Sequence, residues 1–433
     1  MELSQAQQLH GYVTPSETRK DAAAPPSQSS PTAAAGATTG AGTSTPLPTG
    51  DQTAASDSSG ASTADDSGTL AGGADVTAQR VIPHVSGPQY GMNIFVWDKP
   101  LTIDRDLRKV TSAQFGWQKT LFQWRLIEPE RGVFDWSAAD AVVRASNDAG
   151  VRVIARLDFQ PDWARADGAH NGPPDNYDDF GDFVQALVDR YQSGSPYGTI
   201  DAIEVWNEPN LWRDWGGASI GPGSAANYVR LLCTAYRAAK QTSADIVVIS
   251  AALTPTGTLN SEAANDVVFT QWMYDAGAKP CFDVLGAHGA GYKAPPWVGT
   301  AELAANPLWG GDQSFGFRRV EQLRDVMVRN GDAGKQIWLT EFGWSSDPIH
   351  PSYAWHRVSE QDKADYVVEA YRWAYLHWQP WIGVMVLWNI ASPDWNESRE
   401  EYWWSVTDPD GSTRPAYDAL VAARKSGYLP DIN

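Results

Sequence analysis

Eight short apolar runs recur between residues 90 and 390, separated by stretches with helical patterning. They are 90–97, 119–124, 151–158, 200–206, 246–251, 282–288, 337–341 and 384–390, each dense in Val, Ile, Leu or aromatic residues. Continuous rather than alternating hydrophobicity is what a parallel strand buried on both faces requires. In the intervening stretch 179–191, Phe180, Phe183, Val184, Leu187 and Val188 fall on one helical face, and 225–240 and 361–376 behave alike. Strands alternating with helices favour an α/β fold closed as a (β/α)8 TIM barrel over a doubly wound sheet. The loops after the C-terminal ends of the strands build the active face of such a barrel, so chemistry is expected there.

The barrel accounts for residues 80–433. Residues 1–79 are of another kind: from 22 to 77 the chain is almost entirely Ala, Ser, Thr, Gly, Pro and Asp. Such a tract lacks the side chains whose burial offsets ordering entropy, and it reads as a disordered linker. The first 20 residues lack the apolar core of a signal peptide, and no apolar run of 18 is present to insert in a membrane. The tract reads as a tether, so an extracellular or cell-envelope location is expected. The net charge is −19, with the acids scattered and no Lys/Arg cluster. That balance disfavours nucleic acid and anionic membrane as partners, whereas a neutral carbohydrate needs no basic patch. A monomer is expected.

The two cysteines, Cys233 and Cys281, show no metal-ligand spacing. Two buried free thiols are expected, with a disulfide as the alternative. The Gly217-Ala218-Ser219-Ile220-Gly221 run follows a loop rather than a strand, which argues against a serine nucleophile elbow. The histidines form no His-x-His or His-Glu-x-x-His motif, so no metal or cofactor is expected.

Two carboxylates stand out. Glu208 closes the fourth run and precedes Pro209, and Glu341 closes the seventh. In a barrel these positions lie across the mouth and converge. Glycoside hydrolysis uses such a pair, one carboxyl protonated to help the leaving oxygen depart and one ionised; a retaining enzyme needs them about 5–5.5 Å apart. Proximity of like charge raises one pKa and so assigns the roles. The chain also has 21 tryptophans, many just after strands. Trp206 and Trp338 are expected in the core. Trp97, Trp124, Trp212 and Trp297 are candidate platforms, because the C–H face of a sugar ring packs on indole.

The runs Trp206-Asn207-Glu208-Pro209 and Thr340-Glu341-Phe342-Gly343-Trp344 resemble clan A glycoside hydrolases. Phe122-Gln123-Trp124, residues 127–136 and the Arg414-Pro415-Ala416-Tyr417 ending are most similar to glycoside hydrolase family 39 and its bacterial exopolysaccharide-cleaving relatives. The resemblance implies a retaining β-glycosidase with Glu208 as acid/base and Glu341 as nucleophile, endo action being favoured by the long aromatic loops. It implies that Asn207 bonds a substrate 2-hydroxyl and that His288 and Tyr292 surround the nucleophile, the Tyr292 hydroxyl donating to Glu341. Trp388 matches the aromatic floor beneath the sugar. Where the family carries an Arg early in strand two, this chain has Lys119, which keeps the charge but loses the bidentate fork. The alternatives are a non-catalytic carbohydrate-binding barrel and a transglycosylase using the same residues.

Overall fold

A computed structural model describes residues 84–169 and 171–432. The linker assigned to residues 1–79 lies outside the described residues. Eight strands form one parallel sheet: β1 Gln89–Asn93, β2 Trp117–Gln123, β3 Arg152–Asp158, β4 Ala202–Val205, β5 Val247–Ser250, β6 Leu285–Ala290, β7 Ile337–Gly343 and β8 Ile382–Leu387. Their order is β5-β4-β3-β2-β1-β8-β7-β6, so β1 pairs with β8. The remaining seam, β5 to β6, is bridged by the parallel contact Ile249↔Val284. The expected (β/α)8 barrel is therefore what the chain forms.

A helix follows every strand: α1 Pro100–Ser112, α2 Ser137–Asp148, α3 Tyr177–Tyr191, α4 Pro222–Thr242, α5 Asp266–Asp275, α6 Val320–Arg329, α7 Glu360–His377 and α8 Pro415–Lys425. Local chemistry sets their starts. The Asn176 side chain accepts the Asp178 N–H at the head of α3, and Ser359 and Asp362 form a reciprocal capping box on α7. The predicted face of α3, Phe180 through Val188, is buried against the barrel.

Strand periodicity sorts the barrel lumen into two layers. Near the N-terminal ends, Trp117, Ile154, Ala202, Ile249, Val284, Trp338, Val384 and Val386 form a closed apolar plug. Its centre is an edge-to-face pair of Trp117 and Trp338, ring centroids 5.3 Å apart. Gly383 makes room for it: a Cβ there would lie 2.0 Å from the Trp338 indole nitrogen. Two residues further along the strands, the inward positions are Lys119, Arg156 and Glu204, all buried.

The expectation of free thiols is overturned. Cys233 of α4 and Cys281, just before β6, form a disulfide with Cα atoms 4.7 Å apart. The short 3-10 turn Lys279–Cys281 packs against α4, which holds two residues 48 apart in sequence within bridging distance. Nothing in the spacing of a single pair reveals such a meeting.

Candidate active site

Glu208 lies just beyond the C-terminal end of β4, and Glu341 lies in β7 two residues before its C-terminal end. Both line one pocket with His288, Ala290, Phe342, Gly343, Trp388 and Trp404. The backbone aims them. Trp206 and Glu208 both take left-handed φ, 75° and 43°, a conformation costly for non-glycine residues and concentrated at functional sites. The turn is tied to the next loop, the Glu208 N–H donating to the Ala252 carbonyl at 3.0 Å. On the other side, the β6–β7 register shifts between Ala287 and His288, so that His288 pairs with Glu341. Such a bulge re-aims a side chain without breaking the barrel.

His288 stands between the two carboxylates. Its Nδ1 is 2.8 Å from Glu208 Oε1, and its Nε2 is 3.6 Å from Glu341 Oε1. Burial opposes a charge on this imidazole, but the Glu341 carboxylate and the bond to Glu208 outweigh it and raise its pKa. Burial likewise opposes ionisation of Glu208, yet the hydrogen bond and charge of His288, with Arg213 behind, hold its carboxyl below the ordinary value.

Beneath Glu341 sits a charged layer. Lys119 Nζ is 3.1 Å from Glu341 Oε1 and 2.8 Å from Glu204 Oε2, and it also donates to the Thr340 carbonyl at 3.3 Å. Arg156 Nη1 approaches Glu341 Oε1 at 3.5 Å. Two cations on different strands thus flank the carboxylate where the family resemblance implied one Arg. Glu204 is fully buried, but Lys119, His288 and the Thr340 hydroxyl at 2.7 Å keep its pKa low. Asp158, ending β3, differs: burial dominates and pushes its carboxyl up to about 6 despite Arg156.

The structure brings together Glu208, Glu341, His288, Asn207 and Trp388 and leaves other candidates apart. Asn207 is buried, its side-chain oxygen 3.4 Å from Arg156 Nη1. Trp388 and Trp404 wall the pocket. The Tyr292 hydroxyl does not reach Glu341; it donates to the Pro255 carbonyl at 2.9 Å. A left-handed φ of 51° at Tyr292 goes with this placement, its ring packed against Phe315, Trp355 and His356. Trp124 is no platform: it is fully buried, stacked on Phe183, with its indole N–H donated to Glu128 at 2.7 Å. Trp97 packs on Phe122 and lines a separate depression over the ends of β1 and β2. Trp212 is 45% exposed on the loop after β4 and is not in the pocket wall. Trp297 is also half-exposed, set against Tyr366 of α7 and away from the pocket lining.

Sequence reasoning missed Arg156, Glu204 and Trp404. The first two carried a signal, since a charge inside an apolar parallel strand has only the lumen in which to find a partner. Trp404 lies in a short helix, Glu400–Trp404, and had no comparable signal. Among the described residues, no group of three or more His, Cys, Asp or Glu is arranged to hold a metal ion.

Comparison with known proteins agrees with this fold. A family model described as Beta-galactosidase matches residues 92–158, from the end of β1 through β3. Among curated proteins, none matches. Among solved structures, the chain is similar to a family 39 glycoside hydrolase from the gut symbiont Bacteroides cellulosilyticus, with 19% identity over 77% of this chain and 63% of that one and a TM-score of 0.56. It is similar to a glucosidase from Croceicoccus marinus, with 13% identity over 73% of this chain and 62% of that one and a TM-score of 0.53. A GH5_18 structure from Streptomyces cattleya in complex with GlcNAc shares 13% identity over 81% of this chain and 82% of that one, with a TM-score of 0.57. The chain spans less than two thirds of the length of the first two. The resemblance to clan A glycoside hydrolases read from the Glu208 and Glu341 motifs thus extends to the barrel fold.

Proposed function

We propose that this barrel is a retaining β-glycosidase acting on a poly- or oligosaccharide, with Glu341 as nucleophile and Glu208 as acid/base. The observation that carries the reading is the shared pocket: two carboxylates from β4 and β7 face one imidazole, beside the indoles of Trp388 and Trp404. Glu341 attacks the anomeric carbon while Glu208 protonates the departing oxygen. Glu208 then takes a proton from water as the ester is hydrolysed. Lys119 and Arg156 contact Glu341 and aim it, where a bond from the Tyr292 hydroxyl had been expected. Asn207 is oriented by Arg156 toward the 2-hydroxyl position.

Endo action is supported by aromatic surface outside the pocket: Trp97 lines a depression over the ends of β1 and β2, and Trp212 is exposed on the loop after β4. An extracellular or envelope location is supported by the disulfide, which persists in oxidising compartments. The test is a panel of aryl β-glycosides and polysaccharides, with anomeric configuration followed by NMR and product lengths by chromatography. Release of a β-anomer first and a ladder of oligosaccharides is expected. A first-formed α-anomer ends the retaining reading, monosaccharide alone ends the endo reading, and no cleavage of any glycoside ends the glycosidase reading.

A further inference from the structure

In the reading above, Glu208 must hold a proton when substrate arrives, yet its surroundings favour its ionised form. The proton therefore needs another place to reside. His288 is buried, and its Nδ1 lies at hydrogen-bond distance from Glu208 Oε1. Among the described residues its other nitrogen, Nε2, has no hydrogen-bond partner, and it faces Glu341 Oε1 at 3.6 Å. One ring thus touches the acid/base through one nitrogen and feels the nucleophile through the other.

We infer that His288 stores the proton that Glu208 delivers, and that its charge is switched by whether Glu341 is a free carboxylate or a sugar ester. The inference rests on the glycosidase reading for its sequence of events. With Glu341 ionised, His288 is an imidazolium bonded to the Glu208 carboxylate. On reaction the Nδ1 proton passes to Glu208 Oε1 and from that carboxyl to the leaving oxygen. The bond between the anomeric carbon and the leaving oxygen breaks with its electron pair on that oxygen, and a Glu341 oxygen bonds the anomeric carbon. His288 is then neutral, and the charge that favoured its proton has gone. When water attacks, its hydroxyl bonds the anomeric carbon and its proton goes to Glu208 and back to Nδ1. Meanwhile the Glu341 carboxylate is freed. The pair gains and loses one proton per turnover.

The other charged groups around this ring are Lys119 from β2, Arg156 from β3, Glu204 from β4 and Arg213 from the loop after β4. Lys119 disfavours the imidazolium. Glu204 and the ring stabilise each other's charges. Arg156 and Arg213 act through the carboxylates they approach, at 3.5 Å from Glu341 and 3.9 Å from Glu208. None of these changes charge during the reaction, so the state of Glu341 is the variable.

The experiment uses the full chain labelled with 15N-histidine. Side-chain shifts are followed from pH 5 to 9, and the His288 signal is assigned with His288→Asn. Glu341→Gln neutralises the nucleophile as esterification does. Wild type is expected to show a doubly protonated His288 at pH 7, and Glu341→Gln is expected to lower its midpoint by about one unit or more. Glu208→Gln, which removes the other partner, gives an independent drop. A neutral His288 in wild type, or a midpoint unmoved in Glu341→Gln, overturns the inference while the glycosidase reading still stands. Failure to cleave any glycoside, by contrast, removes the catalytic reading without altering the titration.

Discussion

The two ends of the barrel lumen are made by the same eight strands and obey opposite rules. At the N-terminal end, Trp117, Trp338 and their neighbours are held chiefly by close packing, with one indole N–H, that of Trp117, donated to Gln89 Oε1 at 2.6 Å. Two residues further on, Lys119, Arg156 and Glu204, with Asp158 another two residues along β3, are just as deeply buried but are ionisable. Large side chains in a dry plug stabilise by removing apolar surface from water, about 25 cal/mol per Å². Buried charges cost several kcal/mol each in desolvation and persist only where partners compensate. The comparison suggests that one end supplies stability and the other spends part of it on orienting Glu341.

The largest expected effect is on activity at the charged end. Glu208→Ala is expected to lower turnover about 10²–10⁴-fold with little change in Tm. Glu341→Ala should lose at least as much, and azide should restore turnover as an inverted glycosyl azide. Full activity in either variant would separate the pocket from the chemistry.

Next come two substitutions that pit the ends against each other. Lys119→Met strands Glu204 and weakens the hold on Glu341, costing about 3–5 kcal/mol. Trp338→Ala opens a cavity in the plug at a similar cost of about 3–5 kcal/mol. Urea denaturation should find the two comparable, but only Lys119→Met should lower activity per folded molecule. Adding Glu204→Leu to Lys119→Met should recover stability and not activity. Equal activity loss in Trp338→Ala would mean that the plug, too, positions the catalytic groups.

The disulfide offers a smaller test, remote from both ends. Replacing Cys233 and Cys281 by Ala should cost about 2–4 kcal/mol, chiefly by relaxing the unfolded chain, and leave pH–activity behaviour unchanged. A change in activity would show that the tie between α4 and the turn before β6 reaches His288.

The fold was legible because each strand carries its own apolar signal and each helix its own face, as in 179–191. Glu208 and Glu341 were legible because a carboxyl that closes an apolar strand has few other reasons to be there. What stayed hidden depends on side-chain direction. Trp124 and Trp388 both follow strands, yet one turns into the layer under α3 and the other into the mouth. The role of His288 hinges on a one-residue register shift that composition does not record. Tyr292 was expected to donate to Glu341, but with a left-handed backbone its hydroxyl reaches the Pro255 carbonyl instead.

The smallest expected effect is also the sharpest for the charged layer, because it contrasts two acids within it. Glu204 is held ionised by a 2.8 Å contact to Lys119 and a hydroxyl donor. Asp158 has a 3.3 Å approach from Arg156 Nε, and among the described residues neither of its oxygens accepts a hydrogen bond. Its folded pKa of about 6 lies above the ordinary 3.8. A carboxyl raised on folding contributes stability while protonated, fully present below about pH 4 and lost as pH rises through about 6. Ionised Asp158 is therefore a liability at neutral pH. Asp158→Asn should match wild type at pH 4 and exceed it by about 1 kcal/mol at pH 8, part of the gain being offset by a less well compensated Arg156. Thermal melts at the two pH values decide it. Equal destabilisation at both would mean that Arg156 needs the carboxylate, making Asp158 a partner to the layer in the same sense as Glu204.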